Sequence, residues 1–356
     1  MGNRVNVALV GAGYWGQKLL PKFLAAPQAL VRVVCDIHAE NRAEIQRKFP
    51  EVATAESFAV VIADRQLDAV VIVTPLASHF SLAKAALAAG KHVWVEKPLA
   101  LKLENGRELV QLARVKKSVL FVDHTFLYDP AVTMIREMIR SGELGDIYHL
   151  FLQRLNLGRI KRDSNVWWNS APHDASIILH LLSSRPVSVN LHGYRYLQPT
   201  LEDLNMAVIE MEGGTSAFVY HNWLYPENTA KLTVVGSKRL LVYEGKFEKR
   251  SITVYEYEVE NAPVNKSLAD ELPTTIPSKM LAAREIAGFK DQEPLAGAVK
   301  DFLESILDDR VPLSNGNFGL QVLAVLEAGE RSVRANGART TVESWRAESL
   351  LGPKYS

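Results

Sequence analysis

The stretch VALVGAGYWGQKLLPKFL, residues 7–24, constrains the chain more than any other. An apolar run reads as a strand, and Gly11, Gly13 and Gly16 follow it as G-x-G-x-x-G. An amphipathic helical pattern opens at once. Asp36 closes the next apolar run, twenty residues after Gly16. Together these form the fingerprint of a strand-turn-helix that cradles a dinucleotide. Gly11 permits the tight turn, Gly13 lets backbone approach a pyrophosphate, and Gly16 allows helix and sheet to close. Free N–H groups at the helix start face the phosphates. Asp36 accepts hydrogen bonds from the adenosine ribose and repels a 2′-phosphate, which favours NAD over NADP.

The rest of the first 124 residues repeats this alternation. VNVALV (5–10), LVRVVC (30–35), DAVVIVT (68–74), HVWV (92–95) and SVLFVD (118–123) are nearly continuous apolar runs. Strands buried on both faces read this way. Helical patterns separate them, among them SHFSLAKAALAAG with Gly90 as its stop and ENGRELVQLARVKK. The expectation is a doubly wound parallel sheet over residues 1–124.

Beyond residue 125 the pattern changes. After a helix near 129–140, MAVIEMEGGTSAFVYHNW (206–223) reads as a hairpin around Gly213-Gly214. AKLTVVGSKRLLVYE (230–244) reads as another, turning at Gly236-Ser237. Residues 125–356 are therefore expected to form an α+β domain with a mixed or antiparallel sheet. Helices near 294–309 and 316–334 are expected to pack back toward the first domain. Residues 258–290, rich in proline and charge, read as an irregular excursion.

Composition excludes several classes. Lys plus Arg number 41 and Asp plus Glu 40, without the basic excess of a nucleic-acid binder. A single cysteine, Cys35, rules out a disulfide within the chain and fits a reducing compartment. The first apolar run is too short for a signal-peptide core. No run approaches the ~20 residues of a membrane span. The expectation is a soluble cytoplasmic protein without a metal site.

Two segments carry candidate chemistry. In HVWVEKPLA (92–100) a buried strand ends on Glu96-Lys97-Pro98. Buried charge is costly unless paired or used. The carboxyl ends of parallel strands line the ligand crevice, so Lys97 is aimed at the cofactor. Thr74 and Pro75 end another strand as a second cofactor wall, with His79 at the next helix start. In NVWWNSAPHDASIILHLL (165–182), Ser170 or Ala171 reads as a cap and Pro172 as first turn. That places His173 at a helix N-terminus, where the macrodipole disfavours imidazolium. Trp168, beside Trp167, can floor a sugar pocket.

GAGYWG, VTPLASH, EKPLA and APHD, in this order, resemble the Gfo/Idh/MocA family of NAD(P)-dependent oxidoreductases. The resemblance covers essentially the whole chain. It implies a Rossmann domain followed by an open-sheet domain whose exposed face joins homodimers or homotetramers. It implies that Lys97 hydrogen-bonds the substrate hydroxyl, that Lys97-Pro98 is cis as in many relatives, and that His173 is the catalytic histidine. The expected cofactor contacts are Gly11, Gly13, Tyr14, Trp15, Gly16, Asp36, Thr74, Pro75, His79, Glu96, Lys97 and Thr125. Four residues before the histidine the family usually carries Asp, and here stands Asn169. Asparagine orients a hydroxyl but takes no proton, which leaves more of the proton transfer to His173 and Lys97.

DHTFLYDPAV, RLNLGRIKRDSNVWWNSAPHDASI and the tail from EPLAGAV look like the sugar-nucleotide 3-dehydrogenases. That narrower likeness implies oxidation of the 3-hydroxyl of a UDP-N-acetyl sugar or its uronic acid. Arg154, Asn156 and Asn165 are then expected in the substrate pocket with Trp168, Asn169 and His173. A ketosugar reductase, a free-sugar or inositol dehydrogenase and a non-catalytic NAD-binding sensor are the rival readings.

Overall fold

A computed structural model describes residues 4–157, 164–246, 249–259, 278–287, 289 and 293–343. The first sheet holds β1 (Val5–Val10), β2 (Ala29–Cys35), β3 (Ala53–Ala55), β4 (Ala69–Ile72), β5 (His92–Glu96) and β6 (Leu120–Asp123). All pair in parallel, in the order β3-β2-β1-β4-β5-β6. This is the strand order of dinucleotide-binding doubly wound folds. The connecting helices are α1 (Gly16–Ala25), α2 (Ala39–Lys48), α3 (Phe58–Ala63), α4 (His79–Ala88) and α5 (Leu103–Lys116). The five strands read from apolar runs are present. β3 escaped that reading because its three residues, Ala-Thr-Ala, carry no pattern.

The second sheet follows α6 (Pro130–Arg140). It comprises β7 (Ile147–Leu157), β8 (Pro186–Tyr194), β9 (Leu204–Met211), β10 (Ser216–Asn222), β11 (Leu224–Gly236), β12 (Arg239–Lys246), β13 (Lys249–Val259), β14 (Ser278–Ile286) and the short β15 (Thr340–Thr341). Its order is β14-β13-β12-β11-β7-β10-β9-β8-β15, with β10 and β7 the parallel pair. Gly213 and Gly214 both take positive φ, 93° and 92°, and close the β9–β10 hairpin.

Two expectations change. Residues 258–290 are not wholly irregular: β14 lies there and pairs antiparallel with β13. Residues 260–277 fall outside the described ones. Helix α7 (Val166–Leu182) starts earlier than its sequence suggested. Its cap is Asn165, whose Oδ1 accepts from Trp168 N at 3.0 Å. Pro172 therefore sits inside the helix, and His173 lies two turns from its start.

Helices α8 (Pro294–Leu307) and α9 (Gly316–Arg334) cover opposite faces of the first sheet. Phe302 of α8 joins Phe23, Trp94 and Phe121 in an aromatic cluster, with edge contacts of 5.5–6.4 Å and a 4.3 Å stack of Trp94 on Phe121. Such pairs add stability beyond area burial. Helix α9 touches both α5 and α7. A Cβ at Gly319 would sit 2.7 Å from Val122, and one at Gly329 2.5 Å from the Trp167 ring. α9 thereby packs closely against both sheets' layers, and one apolar core runs from Val95 and Val122 through Leu320 and Leu323 to Ile209 and Val234. This packing fixes the crevice between β5–β6 and α7.

Candidate active site

The glycine turn is shaped for close backbone approach. Gly11 has φ +100°, and a Cβ there would lie 2.6 Å from Val73 O. A Cβ on Gly16 would meet Gly11 O at 2.0 Å, while one on Gly13 would meet nothing. The open side of the turn thus lies over Gly13, where a pyrophosphate belongs. Asp36 anchors the turn: its Oδ2 accepts from Ala12 N at 2.6 Å and its Oδ1 from His38 N at 2.8 Å. Ile37, 74% exposed beside it, offers an apolar wall that sequence reading missed. An apolar side chain directly after a strand-ending acid was the available signal. Tyr14 and Trp15 stand on the rim, with Lys18 Nζ 4.4 Å over the Tyr14 ring. These residues fit a dinucleotide.

Glu96 and Asp123 are partners in register on β5 and β6. Trp15 Nε1 donates to Glu96 Oε1 at 2.5 Å, and Thr125 Oγ1 donates to Asp123 Oδ1 at 2.6 Å. Burial, with Asp123 beside it, pushes the Glu96 carboxyl well above its usual range. Burial raises Asp123 as well. Burial thus shifts both groups toward the protonated form, and the neighbouring carboxyl adds to this at Glu96. Trp15 and Thr125 therefore reach the site through these acids.

The Lys97-Pro98 peptide is cis. Lys97 Nζ donates to the main-chain carbonyl of Asn169 on α7 at 2.9 Å. His173 follows one helical turn later on the same face. Pro172 lacks an N–H, so the helix is locally open beside this contact. The expected reason for a neutral His173, a helix N-terminus, does not hold. Burial lowers its pKa well below the ordinary value, and the charges of Lys97 and Arg154 lower it further. Nδ1 of His173 is buried without a hydrogen-bond partner. His124, at the carboxyl end of β6, has both ring nitrogens buried and unpartnered, and burial followed by Lys97 brings its pKa to about 3. The strand-end rule that found Lys97 would also have found Asp123 and His124.

Among the other expected site residues, several have partners within the protein. His79 is buried, with Nδ1 3.0 Å from Pro98 O and Nε2 2.9 Å from Thr74 O. It ties the end of β4 to the lysine turn, and neither nitrogen is spare for a cofactor. Thr74 Oγ1 lies 2.7 Å from Ser78 Oγ, and Pro75 is exposed at the mouth. Asn165, expected in the substrate pocket, is 6% exposed and caps α7 while its Nδ2 donates to Glu202 at 2.8 Å. Both ends of its amide are spent inside the protein. Trp168 donates to Glu330 at 2.9 Å and is half-buried. Asn156 is exposed near the end of β7. Arg154 lies inward, paired with Asp174.

Among the described residues, no three His, Cys, Asp or Glu side chains gather as metal ligands, and no helix is long and apolar enough to cross a membrane.

Comparison with known proteins agrees with this geometry. Residues 5–124 match the model of the Gfo/Idh/MocA oxidoreductase family's NAD-binding Rossmann fold, and residues 132–242 match its C-terminal domain. The UDP-N-acetylglucosamine 3-dehydrogenase of Acidithiobacillus ferrooxidans is 26% identical over 90% of this chain and 94% of its own length. The oxidoreductase YdgJ of Escherichia coli K12 is 30% identical over 54% of this chain, a match spanning 57% of that protein. The solved structure of a levoglucosan dehydrogenase in complex with NADH superposes with a TM-score of 0.81 at 19% identity, covering 96% of this chain and 100% of that one.

Proposed function

The chain belongs to the Gfo/Idh/MocA family of NAD-binding oxidoreductases, and from that premise we propose that it oxidises a sugar ring hydroxyl, the 3-hydroxyl of a UDP-N-acetyl sugar. The observation that carries the reading is the Lys97–Asn169 contact, which brings an ammonium within one helical turn of an imidazole. Bound NAD supplies the hydride acceptor. Lys97 polarises the alcohol and holds its oxygen. His173, kept neutral by its surroundings, accepts the hydroxyl proton as the hydride leaves carbon, and a ketone results. Asn169 offers an amide to orient the hydroxyl. Holding alcohol and base in one geometry lowers the barrier. The relative that acts on UDP-N-acetylglucosamine supports this choice of substrate because it aligns over nearly the whole chain.

The catalytic roles are tested by Lys97→Ala and His173→Ala. Each should abolish turnover of UDP-N-acetylglucosamine while NAD still binds. Intact activity in either variant would end the assignment. Free N-acetylglucosamine and inositols, assayed alongside, separate the polyol reading from the nucleotide-sugar one.

The outward face of the second sheet supports self-association. On β10, Ala217 and Val219 point inward and are buried, while Phe218 between them is 39% exposed. Met206 on β9 is 52% exposed. An apolar sheet face of this kind is covered in a homodimer or homotetramer.

A further inference from the structure

Asp174 follows the base directly, yet the oxidation scheme gives it no task. It is 2% exposed, and both its oxygens are taken. Arg154 Nε donates to Oδ1 at 2.6 Å, and His221 Nε2 lies 2.8 Å from Oδ2. Arg154 and His221 are register partners on the parallel strands β7 and β10, so neighbouring strands reach one carboxylate on α7. Burial pushes the Asp174 carboxyl up, but Arg154 and His221 outweigh it and hold it below the usual range. The carboxylate is therefore charged.

The guanidinium is held on a second side. Its central carbon lies 4.6 Å from the centroid of the Phe126 ring. Phe126 in turn meets the His173 ring edge-on, with centroids 5.0 Å apart. Arg154 is thus fixed through Nε and through one face, within a single ring contact of the base. Its Nη1 and Nη2 have no protein acceptor among the described residues. A purely structural arginine spends those donors, as Arg42 does on the carbonyls of Asp36 and Ile37. A rigid guanidinium edge matches a carboxylate or phosphate group in two parallel hydrogen bonds.

We propose that Arg154, positioned by Asp174 and His221, binds an oxyanion group of the same substrate whose hydroxyl meets Lys97 and His173. This deepens the oxidation reading and rests on it. The oxyanion is either a carboxylate on the sugar ring or a phosphate of the nucleotide, since one fork serves both. Asp174 and His221 are positioning residues: they hold the fork and leave its free edge turned to the ligand.

The test is calorimetric binding to the NADH-loaded protein. Four probes are used: N-acetylglucosamine, its uronic acid, and the UDP derivative of each. Wild type is compared with Arg154→Lys, which keeps the charge beside Asp174 but loses the fork. It is also compared with Arg154→Gln/Asp174→Asn, which removes the buried pair together. Wild type should bind an oxyanion-bearing probe roughly 10–100-fold more tightly than its neutral counterpart. Both variants should lose most of that ratio. Loss of the uronate ratio identifies a ring carboxylate, and loss of the UDP ratio identifies the phosphate. Ratios unchanged in both variants, or no binding by any probe, overturn the proposal. Turnover of the same probes with NAD is scored separately, so the fork and the oxidation reading fail independently.

Discussion

The ammonium of Lys97 donates to the main-chain carbonyl of Asn169, 2.9 Å away and 72 residues further along the chain. That bond joins the end of a Rossmann strand to the helix that carries His173. Neither segment holds the chemistry alone. α9, which packs against both α5 and α7, keeps the two together.

Asn169 lies one helical turn before His173 on α7. Asn169→Asp places a negative charge near His173 and Lys97, which favours imidazolium. The acid limb of kcat/KM for oxidation should move to higher pH in the variant. An unmoved limb would show that residue 169 does not communicate with the base.

His173 owes its neutrality first to burial, then to Lys97 and Arg154. A base with so low a pKa stays unprotonated below the ordinary histidine range. Oxidation rates should therefore hold level as pH falls through 6.5 and decline only at more acid values. A midpoint near 6.5 would place the working base elsewhere.

Folding stability should fall in acid. His79, His92, His124, His173 and His180 all have folded pKa values lowered chiefly by burial, with His124 at about 3 and His180 at about 4. Below the unfolded value near 6.5 the unfolded chain takes up protons first, so each histidine destabilises the fold as pH drops. The slope reaches about 1.4 kcal/mol per pH unit for each proton. Raised Glu96 and Asp123 act in the opposite sense but are fewer. Urea midpoints at pH 7.5 and 5.5 check this, with the lower midpoint expected at pH 5.5.

Asp36 braces the turn through Ala12 N, and the NAD reading gives it the further task of choosing between cofactors. Asp36→Ser should weaken NAD roughly 10–100-fold and narrow its advantage over NADP. Equal loss for both cofactors, without any change in their ratio, would leave Asp36 a purely structural role.

Much of this was legible in the chain because its signals are local. Strands β1, β2, β4, β5 and β6 stand on nearly continuous apolar runs, and Gly213-Gly214 marks a turn. Pro172 suits a first turn, so the local sequence points to a later start for α7 than the structure has. The true cap, Asn165, precedes Val-Trp-Trp, which carries no helical signature. The partners of Asp174, Arg154 and His221, come from two strands that meet only when the second sheet forms. The Glu96–Asp123 pair is likewise a matter of register. The protein partners of Asn165 and His79 are also tertiary and leave no mark in the local sequence.

The most direct measurement is a single-turnover reaction with UDP-N-acetylglucosamine deuterated at carbon 3. NADH should form carrying the deuterium in wild type, with neither Lys97→Met nor His173→Gln forming any despite normal NAD binding. Unlabelled NADH, or label transferred at an undiminished rate by either variant, would contradict the joint action of these two side chains on one alcohol.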